Sequence, residues 1–123
     1  MARIRLGLDL RRMHATVKRQ LEERAPAIGR RSDACGVSRL EIFGSAVHDR
    51  FDLDRSDLDF LVVFRKDATS LDNYLRLAEG LEELFGRPVD LVIERSIRNP
   101  YFRKTVDATR TLIYADREQE APV

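Results

Sequence analysis

Residues 40–64 read LEIFGSAVHDRFDLDRSDLDFLVVF, and the rest of the chain is organised around this stretch. A short apolar segment ends at Gly44-Ser45, a polar stretch follows, and an Asp-Leu-Asp triplet leads into a second apolar run. Because side chains alternate between the two faces of a strand, Asp57 and Asp59 are expected on the same side. Two carboxylates at such a short distance repel each other unless a cation lies between them.

This combination predicts a site for a metal-bound nucleotide. Hard divalent cations prefer oxygen ligands, and Mg²⁺ is commonly bound together with the phosphates of a substrate. A Gly-Ser pair at a strand end that opens a helical turn offers backbone N–H groups and a hydroxyl to such phosphates. We therefore expect Gly44 and Ser45 to face phosphates, and Asp57 and Asp59 to face metal.

Length and composition describe a soluble globular protein of 123 residues, 43% hydrophobic and 35% charged. We expect a single domain over residues 1–123, with a core of about 9–114 and a flexible tail over 115–123. The net charge of +1 gives no general reason to expect a nucleic-acid partner. The single cysteine, Cys35, excludes an internal disulfide framework and fits a reducing compartment.

The sequence also predicts a cytoplasmic protein without a membrane partner. Arginines interrupt the apolar residues of the N-terminus too often for a signal peptide. No apolar run approaches the roughly 20 residues of a membrane span.

The first predicted helix covers residues 9–25, where apolar residues recur every three or four positions. Asp9 is a candidate cap for its start, and Pro26 with Gly29 predicts an end soon after. A polar connector over 29–36 should then lead to the first strand of the central stretch.

The remaining elements follow from short apolar runs and their flanking breakers. The predicted elements are strands over 39–43, 58–64, 89–93 and 111–114, helices over 46–50, 71–85 and 97–108, and a loop over 52–56. Ser70 or Asp72 is expected to cap the second long helix, and Gly86 to end it. Asp90 stands among apolar residues in its strand, where a buried charge is costly unless it is paired or metal-bound.

The order of these motifs resembles the minimal nucleotidyltransferases (MNT) of the DNA polymerase beta-like superfamily. The hallmark of that family is a strand ending in Gly-Ser, then Asp-x-Asp, then a third acid on a later strand. In this chain it stands as Gly44-Ser45, Asp57-Leu58-Asp59 and Asp90. The spacer before Asp-x-Asp is longer than the commonest form, and Asp49-Arg50-Phe51 occupies the region where an Arg-Gly is often present.

The resemblance implies an α/β (α+β) fold, in which a small mixed sheet packs against helices, and a set of catalytic residues. Asp57 and Asp59 would bind two Mg²⁺ ions that hold the triphosphate of ATP. Asp90 would share one metal and act as a base toward the attacking hydroxyl. Gly44 and Ser45 would contact the β- and γ-phosphates of the nucleotide.

The resemblance also implies a partner. Short chains of this family are typically antitoxins of two-gene modules whose toxin is a helical HEPN ribonuclease, and they transfer AMP to a toxin hydroxyl, commonly that of a tyrosine. Two alternatives stay open: a non-catalytic antitoxin that acts by binding, and a transferase that acts on a small molecule. The sequence also leaves homo-oligomerisation open.

Overall fold

The computed structural model describes residues 13–47 and 52–116, together with the backbone of residues 3–4. Within these residues, one five-stranded sheet is flanked by three α-helices. The elements are β1 (Arg3–Ile4), α1 (Ala15–Ala34), β2 (Val37–Phe43), β3 (Leu58–Phe64), α2 (Leu71–Phe85), β4 (Val89–Ile93), α3 (Pro100–Thr109) and β5 (Thr111–Ala115). The predicted small mixed sheet packed against helices is thereby confirmed.

The strand order is β1-β5-β2-β3-β4, which places β3 inside the sheet, as its apolar run predicted. β3 and β4 are parallel, and the other pairs are antiparallel. A parallel pair needs a crossover connection, and α2 supplies it. Asp59 lies opposite Asp90 in the β3–β4 register and opposite Phe43 in the β2–β3 register.

The two faces of the sheet carry different layers. Helices α1 and α2 cover one face, where the main apolar core includes Val17, Leu21, Leu40, Ile42, Leu58, Phe60, Leu77, Leu81 and Leu91. Helix α3 contributes Val106 to a smaller cluster with Phe43 and Leu61, and Val92 and Ile97 pack against it. Asp59 and Leu61 share a face because they are two residues apart on one strand. The site acids and α3 are therefore on the same side of the sheet.

Helix α1 begins later than the apolar periodicity predicted. His14 is its N-cap, and His14 Nδ1 accepts a hydrogen bond from the backbone N–H of Thr16 at 3.2 Å. The predicted cap, Asp9, lies outside the described residues. The backbone N–H of His14 donates to the carbonyl of Ala46 at 2.9 Å, which ties the start of α1 to the turn after β2.

The predicted end of this helix was wrong, because α1 continues through Pro26 and Gly29 to Ala34. Most of the connector expected over 29–36 is therefore helical. Pro26 cannot donate the hydrogen bond of its helical position, which normally ends or kinks a helix. Ile28 and Ser32, both beyond the proline, are fully buried. Tertiary packing of that last part of the helix outweighs the missing bond.

Helix α2 carries its expected caps, and α3 has a side-chain cap that the sequence analysis did not name. Ser70 accepts from the N–H of Asn73 at 3.1 Å, and Gly86 ends α2 in the left-handed conformation at φ 66°. Helix α3 starts three residues later than predicted, at Pro100, because the Asn99 side chain caps it there.

Two further predictions fall partly outside the described residues. A 3₁₀ turn covers Gly44–Val47 and includes the first two residues of the short helix expected over 46–50, while residues 48–51 lie outside the described residues. Of the tail expected over 115–123, Ala115 belongs to β5 and Asp116 is buried, and residues 117–123 lie outside the described residues. The Asp116 N–H donates to the Ser38 carbonyl at 3.0 Å, so pairing with β2 extends past the last strand.

Five charged residues form an ionic cluster on the α3 side of the sheet: Arg39, Glu41, Glu94, Arg103 and Arg110. The Arg110 guanidinium binds both carboxylate oxygens of Glu41, at 3.0 and 2.6 Å, and one oxygen of Glu94 at 2.9 Å. Burial raises the pKa of Glu94, but hydrogen bonds from Arg110 and Arg103 outweigh it and lower that pKa to about 2.

Strand β4 is the last strand of the described sheet, and its outer edge is covered by side chains. In a parallel pair, every second residue of an edge strand directs its backbone groups away from its neighbour. Side chains form hydrogen bonds with three of these groups: Glu82 accepts from Val89 N–H at 3.1 Å, Tyr74 donates to Leu91 C=O at 2.7 Å, and Ser96 donates to Ile93 C=O at 2.7 Å.

None of the helices in the described part of the chain has the length and hydropathy that a membrane span requires.

Candidate active site

The sheet register brings the predicted acids to one place. Asp59 and Asp90 are direct neighbours across the parallel pair β3–β4. Asp57 comes immediately before β3, and Phe43, which lies opposite Asp59, is followed directly by Gly44. Residues that are far apart in the sequence therefore meet at the start of β3 and β4.

The acids differ in their exposure to solvent. Asp59 is partly buried, whereas Asp57 and Asp90 are exposed. The expectation that Asp90 is a costly buried charge was wrong. Because β4 is the outermost described strand, its Asp90 side chain reaches water even though its neighbours along the strand are apolar.

Asp59 is the electrostatic centre of the site. Burial, followed by repulsion from Asp90 and then from Asp57, raises the pKa of Asp59 from 3.8 to about 6. Repulsion of this kind shows that the three carboxylates are close enough to interact. A cation bound among them would offset the part of the shift that comes from this repulsion.

Gly44 lies beside the Asp59 side chain, and both its backbone conformation and this neighbour disfavour a larger residue. Its backbone has φ 80°, a conformation that side chains other than hydrogen disfavour. A Cβ atom at Gly44 would stand 2.5 Å from Asp59 Oδ2, well inside van der Waals contact. The glycine of the Gly-Ser pair therefore makes room for the carboxylate of the Asp-x-Asp pair.

The 3₁₀ turn Gly44–Val47, called the Gly-Ser turn below, is held at two points. The N–H of Gly44 donates to Thr109 Oγ1 at 2.9 Å, and the carbonyl of Ala46 accepts from His14 N–H at 2.9 Å. Ser45 lies between these points and is partly buried. Sequence analysis did not single out Thr109. It lies 65 residues from Gly44, and a threonine at a helix end carries no local signal of such a contact.

Residues 52–56 form a loop, as the sequence predicted. Hydrogen bonds within the loop close it. The Asp52 side chain accepts from the N–H of Asp54 at 2.9 Å, and the Asp52 carbonyl accepts from the N–H of Ser56 at 2.8 Å. Arg87 donates to the carbonyl of Ser56 at 3.2 Å and so fixes the backbone just before Asp57. The Asp49-Arg50-Phe51 segment lies outside the described residues.

The site has carboxylate oxygens that suit a hard cation, although they are not arranged as a complete binding site. Within residues 13–47 and 52–116, no three His, Cys, Asp or Glu side chains form a ready metal-binding group. Asp57 and Asp90 lie at the surface, where a carboxylate changes rotamer at little cost. Their oxygens, together with those of Asp59, are the ligand type that Mg²⁺ prefers.

Comparison with known families gives one match that spans most of the chain. Residues 17–113 match a family model described as a nucleotidyltransferase domain. A Methanocaldococcus jannaschii protein, provisionally named a protein adenylyltransferase, is 36% identical over 83 residues. That alignment covers 67% of this chain and 80% of the relative.

Two solved structures share the fold. One, provisionally described as a minimal nucleotidyltransferase, superposes with a TM-score of 0.61 at 34% identity and covers 75% of this chain and 91% of that one. The other is a complex of a tri-AMPylated HEPN toxin from Shewanella oneidensis with an MNT antitoxin. It matches with a TM-score of 0.55 at 19% identity, covering 81% of this chain and 76% of that one.

Proposed function

Since the chain belongs to the nucleotidyltransferase domain family, and is therefore a nucleotidyltransferase, we propose that it transfers AMP from ATP to a hydroxyl of a partner protein. One observation carries the proposal: Asp59 lies opposite Asp90 in the sheet with Asp57 just before β3, and burial, then repulsion from Asp90 and Asp57, raises the pKa of Asp59 to about 6. A group of acids that repel one another at an exposed strand end is typical of a functional site.

In this proposal the acids hold Mg²⁺. Asp57, Asp59 and Asp90 would hold two ions between them. Metal held there would supply positive charge that stabilises the developing charge of an in-line displacement. The raised pKa of Asp59 supports the assignment, because a cation would relieve the repulsion from Asp90 and Asp57.

The protein groups bind and orient the reactants. The Gly-Ser turn faces the β- and γ-phosphates, and its glycine lets the backbone pass close to Asp59. Asp90 is exposed opposite Asp59 and accepts the proton of the acceptor hydroxyl. The hydroxyl oxygen then forms a bond to the α-phosphorus, the bond from that phosphorus to the bridging oxygen breaks, and pyrophosphate leaves.

The acceptor in this proposal is a HEPN-type toxin. The relative from Methanocaldococcus jannaschii carries the name of an enzyme that modifies proteins. The Shewanella oneidensis structure contains an AMP-modified HEPN toxin bound to an MNT antitoxin of the same fold. Asp90 is exposed on the outermost strand, which suits an acceptor as large as a second protein.

The test is transfer of label from ATP carrying ³²P at the α-phosphate to a purified HEPN-type toxin, in the presence of Mg²⁺. We expect a substoichiometric amount of this chain to label and inactivate an excess of partner. The variant Asp57→Asn with Asp59→Asn should lose at least about a hundredfold in rate, since its carboxylates bind the metal.

Asp52→Asn is the matched control. It removes one negative charge from the same loop and keeps an oxygen for the N–H of Asp54, so transfer should continue at close to the wild-type rate. Inhibition that titrates one to one, needs no ATP and survives in the double variant would show that the chain acts by binding alone.

A further inference from the structure

Thr109, the last residue of α3, holds the Gly-Ser turn through a directed hydrogen bond. Its Oγ1 accepts from the N–H of Gly44 at 2.9 Å and donates to the carbonyl of Thr105 at 3.1 Å. A hydroxyl has a single proton, so donating it to Thr105 leaves the oxygen lone pairs for Gly44. The bond to Gly44 therefore has one defined direction.

Helix α3 provides a fixed support for this contact. Val106 is fully buried in the cluster with Phe43 and Leu61. The rings of Phe43 and Phe102 pack edge to face, with centroids 6.0 Å apart. Arg110, the residue after Thr109, is bound by Glu41 and Glu94. Thr109 is thus anchored on both sides along the chain.

The contact decides which groups of the Gly-Ser turn remain for a ligand. The N–H of Gly44 is engaged by Thr109, and the carbonyl of Ala46 is engaged by His14. Ser45 lies between the two anchored residues. The sequence alone predicts that Gly44 and Ser45 both face phosphates. The bond to Thr109 restricts this prediction to Ser45.

We infer that Thr109 is a positioning residue for nucleotide binding: it occupies the N–H of Gly44 and so presents the N–H and hydroxyl of Ser45 to the phosphates. This inference rests on the proposed function. The phosphates remain the ligand of the turn, and Thr109 sets the orientation of the backbone that receives them. Loss of the Thr109 hydroxyl should therefore weaken ATP binding without any change in the acids.

The test compares Thr109→Val, which has the shape of threonine without the hydroxyl, with Thr109→Ser, which keeps it. We expect Thr109→Val to raise both the KM for ATP and the Kd for Mg·ATP by about fivefold, the effect of losing one neutral hydrogen bond, with kcat within about twofold. Thr109→Ser should restore both constants to close to the wild-type values.

Thr105→Val is the matched control one helical turn earlier. Its hydroxyl donates to the carbonyl of Tyr101 at 3.1 Å and has no contact with the Gly-Ser turn, so KM and Kd should not change. Hydrogen exchange of the Gly44 amide, measured without nucleotide, should become faster in Thr109→Val and stay as in wild type in Thr105→Val.

The outcomes of these experiments distinguish the proposed function from the role of Thr109. Wild-type protein that binds no Mg·ATP would overturn the proposed function, and this inference with it. Wild-type protein that binds Mg·ATP, with Thr109→Val binding equally well, would overturn this inference alone. It would also be overturned if Thr105→Val weakened binding as much as Thr109→Val, because that result would mean a general effect on α3.

Discussion

Two groups of acids lie on the α3 side of the same sheet, and their surroundings are opposite. Glu41 and Glu94 are enclosed by Arg39, Arg103 and Arg110 in the ionic cluster. Asp57, Asp59 and Asp90 gather at the other end of the strands, where mainly one another's charges act on Asp59. The pKa of Glu94 is lowered to about 2, whereas that of Asp59 is raised to about 6.

The difference separates acids that are held by guanidinium donors from acids whose charged neighbours are other acids. In the ionic cluster, hydrogen bonds from Arg110 and Arg103 lower the pKa of Glu94, so ionisation of Glu94 favours the native state. Because the pKa of Asp59 is raised, ionisation of Asp59 opposes folding, and a bound cation would offset this effect. The three predictions below test this contrast, in order of expected size.

The largest effect on stability should come from removing Arg110. Arg110→Met would leave Glu41, which is only 7% exposed, without its two-point partner. Breaking a buried pair in this way costs about 3 kcal/mol, or about 10 °C in Tm for a domain of this size. Arg76→Met, which removes an exposed pair with Asp72 at 3.9 Å, is the control and should cost less than about 0.5 kcal/mol. Equal thermal midpoints for the two variants would contradict the structural role of the ionic cluster.

A smaller effect on stability should come from Glu94, and it should disappear at acidic pH. Because the folded-state pKa of Glu94 lies below its ordinary value of 4.5, its stabilisation is present above that pH and disappears as the pH falls toward about 2. Glu94→Gln should therefore be less stable than wild type by about 2 kcal/mol at pH 7, after allowance for solvent screening, and nearly equal to it at pH 2.

The measurement is denaturant unfolding of both proteins across this pH range. Glu83→Gln is the control, because Glu83 is exposed and its nitrogen–oxygen distance to Arg31 is 3.9 Å. A stability difference between Glu94→Gln and wild type that did not shrink in acid would show that the Glu94 carboxylate is not stabilised by its charge.

The smallest effect on stability should be a gain instead of a loss, and it should come from replacing Asp59. Because the folded-state pKa of Asp59 is raised, metal-free wild type should lose stability as the pH rises from about 4 through about 6. In chelator, Asp59→Asn should therefore be more stable than wild type at pH 7.5, by about 1 kcal/mol after screening, and equal to it at pH 3.5. Millimolar Mg²⁺ should raise the Tm of wild type and leave that of Asp59→Asn nearly unchanged.

Asp52→Asn serves as the control here as well, because the Asp52 side chain accepts a hydrogen bond within its own loop. It should show no stability gain that depends on pH. If Asp59→Asn were destabilising at pH 7.5 without metal, the carboxylate would be part of the fold's support and the contrast would fail.

Local patterns in the sequence were enough to predict four of the five described strands and both caps of α2. The run VDLVI lies between a proline and a charged segment, and β4 has the bounds predicted for it. The Gly-Ser pair and the Asp-x-Asp pair were recognised because each is a contiguous motif. The fold class could follow from these motifs because they stand at predicted strand positions in a fixed order, Gly-Ser, then Asp-x-Asp, then Asp90.

Contacts between distant residues were not predictable. Arg110 and Glu41 are 69 residues apart, and each has the appearance of a surface charge in the sequence. The exposure of Asp90 depends on strand order, which its apolar neighbours do not reveal. Pro26 misled the prediction of α1 because the burial of Ile28, which keeps the helix intact, is a tertiary effect.

The covered outer edge of β4 also determines how another protein can approach the site. An unprotected edge strand invites pairing with a foreign strand, in aggregation as much as in recognition. Here such a strand would first have to displace Glu82, Tyr74 and Ser96 from the backbone groups that they hold. At these three positions the outer edge of β4, beside Asp90, therefore resists extension of the sheet from one molecule into the next.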